Sequence, residues 1–336
     1  MKKNLLFGMM VLAMGTSSIL AQSKTGTSVG EFLLIEPSAR IAGMGNAGVT
    51  VYEEIQAAYY NPAAIGHLTG SGVQVSHSPW LAGITYDYVG TALMLGNFGN
   101  LYGTVTSLNS GEIDVRTVDA PLGTGERYTV SDLAFGLGYG RRVSDRFYVG
   151  LQVTYLQETI WHSSMSAFAM NVGTLYQISP DGLRIGASIS NWGTRAKFDG
   201  RDLRILYDQD PSKFGGNRAL PAELFTDDFP LPILFRVGLG LPITIDENNK
   251  IELAADAFHP SDNAESVSFG AEWMFFNTFA VRGGYQNLFQ QDSEVGLTLG
   301  AGLRYDMNAF KINFDYGWAD YGRLEKTQRL TLGILF

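Results

Sequence analysis

From residue 71 onward the chain alternates apolar and polar positions in stretch after stretch. The last ten residues, Thr327 to Phe336, set the pattern. Leu330, Leu332, Ile334 and Phe336 fall on one side; Arg329, Thr331 and Gly333 fall on the other, with Leu335 the only large apolar residue there. A period of two places one row of side chains on each face of a sheet. The alternation predicts fourteen strands: 71–80, 84–96, 99–108, 129–141, 146–158, 164–178, 182–192, 233–242, 250–258, 265–276, 278–287, 294–305, 309–319 and 327–336. Their ends are set to within about 2–4 residues. Most are near the ~9–11 residues that carry a tilted strand across a bilayer.

The second row separates a membrane barrel from a soluble sheet. Phe147, Val149, Leu151, Val153 and Tyr155 oppose Gly150, Gln152 and Thr154; Val267, Phe269, Ala271, Trp273 and Phe275 oppose Ser266, Ser268, Gly270 and Glu272. A soluble sheet would turn a charged face to water. Here the second row is mostly Gly, Ser, Thr and Ala, with a minority of charges. Tyr86, Tyr139, Tyr155, Tyr285, Tyr305, Tyr316 and Trp318 stand near strand ends, where an interfacial girdle needs aromatics. Tight turns at 97–99, 144–145, 179–182 and 306–308 alternate with longer loops, notably 109–128 and 193–232. An even strand count with short periplasmic turns and long outer loops is the bacterial pattern. The fold class read from these rows is all-β: a transmembrane antiparallel β-barrel of about 14 strands over residues 71–336, bathed in outer-membrane lipid.

Residues 1–21 read as a cleaved signal peptide. Lys2 and Lys3 precede an apolar run from Leu5 to Met14, and Ser17, Ser18 and Ala21 mark the cleavage region. The run is shorter than the ~20 residues a spanning helix needs. Residues 22–70 do not alternate. Phe32, Leu33, Leu34, Ile35, Ile41, Val49 and Val51 make the segment too apolar for a solvated tail. Glu53–Tyr60 is helix-compatible, and Asn61 followed by Pro62 starts a short helix through Ile65. A segment of this size ahead of the first strand fits inside a barrel as a small N-terminal plug.

Composition narrows the function. Charged residues are 17 % and glycines number 40, against about 25 % charged in a typical soluble domain. Losing Lys2 and Lys3 moves the net charge from −9 to −11, which argues against a nucleic-acid partner. With no cysteine, disulfide and thiol chemistry and a lipid-anchored terminus are excluded.

Ionisable residues fall in the inward rows: Arg236, Glu252, Asp256, Glu272, Arg282, Glu294, Arg304, Lys311, Asp315 and Arg329. A charge on the lipid face at mid-depth costs about 2–4 kcal/mol, so alternation drives them inward. They read as a structural network tying wall to plug, with Arg40 a candidate partner for one of the acids. A rim hydrolase would pair His162 with Ser163 or Ser164, or His259 with Asp262, but triads are assembled from distant segments. No histidine pair has metal-ligand spacing, and neither a metal nor another cofactor is expected. The glycine runs at Gly136–Gly140 and Gly238–Gly240 lie inside strands; they read as room for the plug rather than phosphate loops. Loop 193–232 carries Phe198, Tyr207, Phe214, Phe225 and Phe229 among six basic and seven acidic residues. It reads as a lid on the barrel mouth or as a docking surface for a partner.

The run Glu31–Arg40, then Gly43-Met44-Gly45-Asn46-Ala47-Gly48, then Ala58–Ala64 with Asn61-Pro62-Ala63 resembles the opening of the PorV/PorQ family, within the wider FadL-type group of outer-membrane barrels. The resemblance is strongest over residues 29–66. It implies a fourteen-stranded barrel with an amino-terminal plug in the outer membrane of a Gram-negative bacterium. On the PorV side it implies a non-enzymatic role in type IX protein secretion. There the barrel would receive cargo bearing a carboxy-terminal signal domain and pass it to a surface attachment complex. On the FadL side it implies uptake of a lipophilic small molecule. The motif residues carried over are Arg40, Gly43, Met44, Gly45, Asn61, Pro62 and Ala63.

Overall fold

The computed structural model describes residues 25–179, 182–210, 212, 220–290, 293–307 and 309–336. The signal-peptide reading of residues 1–21 and the candidate Phe214 lie outside the described residues. Strands run β1 (Gly72–Pro79), β2 (Thr85–Met94), β3 (Asn100–Asp114), β4 (Arg127–Ser144), β5 (Phe147–Ile160), β6 (Ser163–Gln177) and β7 (Arg184–Gly193). Three short strands follow in one long connection: β8 (Asp199–Gly200), β9 (Arg204–Tyr207) and β10 (Leu220–Glu223). The second half is β11 (Leu234–Thr244), β12 (Lys250–Pro260), β13 (Ser266–Phe275), β14 (Phe279–Leu288), β15 (Leu297–Met307), β16 (Phe310–Asp320) and β17 (Lys326–Leu335).

Each long strand pairs antiparallel with its neighbour in sequence, β7 pairs with β11, and β1 pairs with β17 from Gly72↔Leu335 to His77↔Leu330. The ring is therefore a closed barrel of fourteen strands among the described residues, with no free edge. Closure matters in lipid, where an unpaired backbone group costs several kcal/mol. No helix among the described residues is long and apolar enough to cross a membrane.

The two rows separate as alternation requires. Along β17, Leu330, Leu332 and Ile334 face outward, while Thr327, Arg329 and Thr331 are buried in the lumen. Tyr86 departs from the girdle. It points inward and its hydroxyl donates to Ile35 O at 2.9 Å. Its neighbour Asp87 takes the outward position and pairs with His77 at 2.8 Å near the outer end of β1. Two boundaries also move. The β3–β4 ladder continues through a bulge to Asp114↔Arg127, so that outer loop is shorter than 109–128. β15 starts at Leu297, because Glu294 and Val295 belong to the outer connection although their alternation continues the strand's rhythm.

Residues 25–70 fill the lumen from the outer end to the inner. At the outer end Val29 N donates to Pro230 O (3.0 Å) and Gly30 N to Glu158 Oε1 (3.0 Å). Midway, a single-turn helix Ala39–Ala42 starts at Ser38, whose Oγ accepts from Ile41 N. At the inner end, the helix-compatible run shrinks to Ala57–Tyr60 and is followed by a 3-10 helix Pro62–His67. Asn61 caps that helix, its side chain accepting from Ala63 N at 3.0 Å.

Candidate functional site

The plug is seated by backbone-to-backbone contact and by charge. The Gly43-Met44-Gly45 run lies on glycines of the wall. A Cβ on Gly43 would stand 2.9 Å from Gly300 Cα. Gly45 has φ +66°, and a Cβ there would stand 2.6 Å from Phe269 O. Gly270 and Gly284 face the plug at Met44 and Gly45. Only residues without side chains let two backbones approach this closely. Thr298 Oγ1 fastens the run, accepting from Gly45 N (2.9 Å) and donating to Gly43 O (3.3 Å). Asn61 Nδ2 donates to Val49 O (2.8 Å) and Thr174 O (2.9 Å), while Pro62 lies on Gly150. Ala63 is fully buried, clustered with Tyr148 and Leu175. Of the two glycine runs read as room for the plug, Gly140, Gly238 and Gly240 face plug residues; Gly136 and Gly138 instead accommodate Gln152 and Tyr102 of the wall.

Charge completes the seat. Arg40 grips Glu272 with both ends of its fork: Nε to Oε2 at 2.9 Å and Nη2 to Oε1 at 2.7 Å. Arg282 Nε donates to the same Glu272 at 2.6 Å, and its Nη2 lies in charge contact with Asp315 at 2.7 Å. Arg304 reaches Glu53 (3.4 Å) and Glu272 (3.8 Å). Burial works against the Arg40 cation, but Glu272 holds it protonated, well above the usual guanidinium range. Glu54 is also buried and its carboxyl is pushed up; it accepts from Ser38 Oγ (2.8 Å) and Gln74 Nε2 (3.2 Å). Glu252 pairs with Arg184, whose guanidinium lies 4.5 Å over the Tyr52 ring. That ring stacks on His67, which stacks on Tyr148. Asp256 accepts from Val49 N (2.8 Å), and Arg236 donates to Ser190 Oγ (3.0 Å) beneath the Tyr59 ring.

Two residues of the inward row do not face the lumen. Glu294 binds Arg323 at the outer rim, and Lys311 pairs with Asp306 at 3.5 Å near the inner end. Their strand ends lie where the register no longer divides lumen from lipid. Conversely, Arg184, Glu53 and Glu54 join the network without having been singled out. Arg184 shares parity with Gly186, Ser188 and Ser190 opposite Ile185 and Ile189, which is the signal that finds it.

The long outer connection divides in two. Its base is buried: Ala196 and Leu231 pack with Phe32, Leu156 and Met165, and Phe198 lies against that cluster. An isolated bridge joins Ala196 to Phe229. The β9–β10 hairpin projects, leaving Leu206, Tyr207, Leu224 and Phe225 exposed, with Phe225 at 87 % and Phe229 at 40 %. The hydrolase pairs do not form. His162 Nδ1 contacts Asp202 at 2.9 Å, but Arg201 Nη2 stands 2.5 Å from Nε2, the nitrogen that would face a nucleophile's hydroxyl. His259 pairs with Glu265 at 3.0 Å rather than with Asp262.

The family model for the type IX secretion system protein PorV matches residues 19–204, more than half of the chain. The chain belongs to the PorV family. Solved structures similar to this PorV-family barrel include the toluene transporter TbuX of Ralstonia pickettii, at 12 % identity over 89 % of this chain and 97 % of that one, with a TM-score of 0.54. The toluene transporter TodX of Pseudomonas putida follows at 11 %, 90 %, 98 % and 0.54. A FadL homologue of Pseudomonas aeruginosa gives 11 %, 89 %, 98 % and 0.53. At such identities the likeness is one of fold: a closed β-barrel of the kind these proteins share. No curated protein matches the chain.

Proposed function

We propose that this PorV-family barrel is a non-enzymatic component of type IX protein secretion. It engages signal-bearing cargo or the attachment complex through its outer loops and mouth. The observation that carries the reading is a lumen filled by residues 25–70 and locked by the Arg40–Glu272–Arg282–Asp315 cluster. A folded cargo domain has no route through such a barrel, so the work belongs to the outer surface. Apolar side chains stand exposed there, on Tyr207, Phe225 and Phe229. In this reading residues 1–21 are removed as a signal, 22–70 form the plug and 71–336 the barrel.

The FadL-type alternative, uptake of a lipophilic molecule, calls for an apolar pocket between plug and wall. One cavity between plug and wall, about 240 Å³ at the inner end, is instead lined by Arg40, Glu53, Arg184, Glu252, Glu272 and Arg304; a larger one of about 400 Å³ at the outer end mixes Leu34, Tyr60 and Phe258 with Glu31, Glu36, Arg236 and Asp262. These charged linings favour the secretion reading. Deletion of the gene, followed by an assay for surface delivery of cargo carrying the carboxy-terminal signal domain, tests it. Delivery should fail and return on complementation; unimpaired delivery would defeat the proposal.

A further inference from the structure

Most carboxylates of the inner and middle lumen meet arginines, while Glu54 and Asp256 are held by hydrogen bonds from Ser38, Gln74 and Val49 N. Glu53, Glu252, Glu272 and Asp315 meet arginines, and Glu36 meets Arg329 at 3.3 Å. The outer end of the plug differs. Glu31, Asp132, Glu158 and Asp262 gather around residues 28–31, and among the described residues none is paired with a lysine or arginine. Asp132 and Glu158 are direct cross-strand neighbours on β4 and β5, and Glu158 has only the Gly30 N–H. Like charges placed opposite one another without a counter-charge destabilise a sheet.

Glu31 and Asp262 are joined by one hydroxyl. Ser28 Oγ lies 2.5 Å from Glu31 Oε1 and 3.3 Å from Asp262 Oδ2. A hydroxyl has one proton, so it satisfies one carboxylate and leaves the other short. Asp262 is only 7 % exposed, and its Oδ1 is buried with no partner. It lines a cavity of about 400 Å³ with Glu31, Asn263 and Asn287; Arg236 also lines that cavity, but it hydrogen-bonds Ser190 Oγ and pairs with neither Asp262 nor Glu31. Burial pushes the Glu31 carboxyl up, Ser28 opposes this, and the Asp262 charge pushes it further up. An unpaired buried carboxylate beside a second one calls for a cation.

We infer that Glu31 and Asp262, with Ser28 Oγ, bind a divalent cation of the calcium type. The donors are all oxygen, with no nitrogen or sulfur, which suits a hard ion. The cavity opens at the outer mouth, and cavity water completes the shell. One carboxylate comes from the plug and one from the β12–β13 connection, so the ion staples the plug's outer end to the barrel rim. Extracellular calcium modules work at about 10⁻⁴–10⁻³ M, the regime of a two-carboxylate site.

The test uses the full-length protein purified in detergent and stripped with EDTA. Thermal unfolding is followed while calcium chloride is added to millimolar levels at constant ionic strength. The wild type should gain several degrees in Tm and saturate; Glu31→Gln and Asp262→Asn should each lose most of that gain. Equilibrium dialysis against radioactive calcium should give one site per chain in the wild type and none in Glu31→Gln. This second readout keeps the proposal testable if Asp262→Asn folds poorly, because Glu31 lies at the accessible mouth. A gain in Tm that survives in both variants, or dialysis without stoichiometric binding, overturns it.

Discussion

Glu272 holds three arginines, Arg40 of the plug and Arg282 and Arg304 of the wall, and is 3 % exposed. Removing one partner of a buried ion pair costs about 3–5 kcal/mol, because the other charge stays buried and uncompensated. Glu272→Gln should therefore lower unfolding stability by that amount in a denaturant titration, while Glu265→Gln on the exposed rim should change it little. His67 gives a pH prediction. Burial, then the charges of Arg184 and Arg142, lower its pKa from 6.5 to about 3. The unfolded chain takes up a proton near the ordinary value and the folded one does not. This contribution is complete above pH ~6.5 and is lost as pH falls from there toward about 3, at up to about 1.4 kcal/mol per unit. His67→Gln should flatten that part of the profile; an unchanged slope would show that other groups carry it. Parity alone made Glu272, Arg282 and Asp315 legible in the sequence. It could not reveal that Glu272 is shared three ways, since that depends on Arg40, which belongs to no strand.

At the scale of elements, the alternation located all fourteen barrel strands, because lipid on one side and a polar lumen on the other impose the period of two throughout. It failed where that contrast fades. The outer ends of β3 and β4 lie beyond the stretch that must alternate, so their ladder runs further than the pattern shows. Tyr86 reads as apolar yet turns inward to use its hydroxyl. The long outer connection lacks a period because its base packs against Phe32 and Leu156 while its hairpin stands free. That division predicts separable effects. Replacing residues 204–223 with a short Gly-Ser linker should leave the barrel folded, as judged by heat-modifiable mobility on a gel. Surface delivery of cargo should fall sharply. Normal delivery would relieve the hairpin of a docking role.

For the whole molecule, the filled lumen makes a statement about permeation. Reconstituted in a planar bilayer, the intact protein should pass no steady ionic current, and brief openings should become frequent in Glu272→Gln, where the plug's charged seat is weakened. A large constant conductance in the wild type would contradict a lumen closed by residues 25–70. Fold and location were legible in the sequence because they follow from a repeated pattern. The route of the plug was not, because it is set by single close approaches that leave only glycines as their trace.

Those approaches also set an order of construction. The 39–45 stretch rests on Gly270, Gly284, Gly300 and Gly317, and Ala39 N donates to Thr331. All five belong to strands near the carboxy terminus, the last to emerge during export. The plug is thus made first but can settle only when β13 to β17 arrive, and β17 is also the strand that meets β1. Closing the ring and seating this stretch of the plug therefore draw on the same strand, β17.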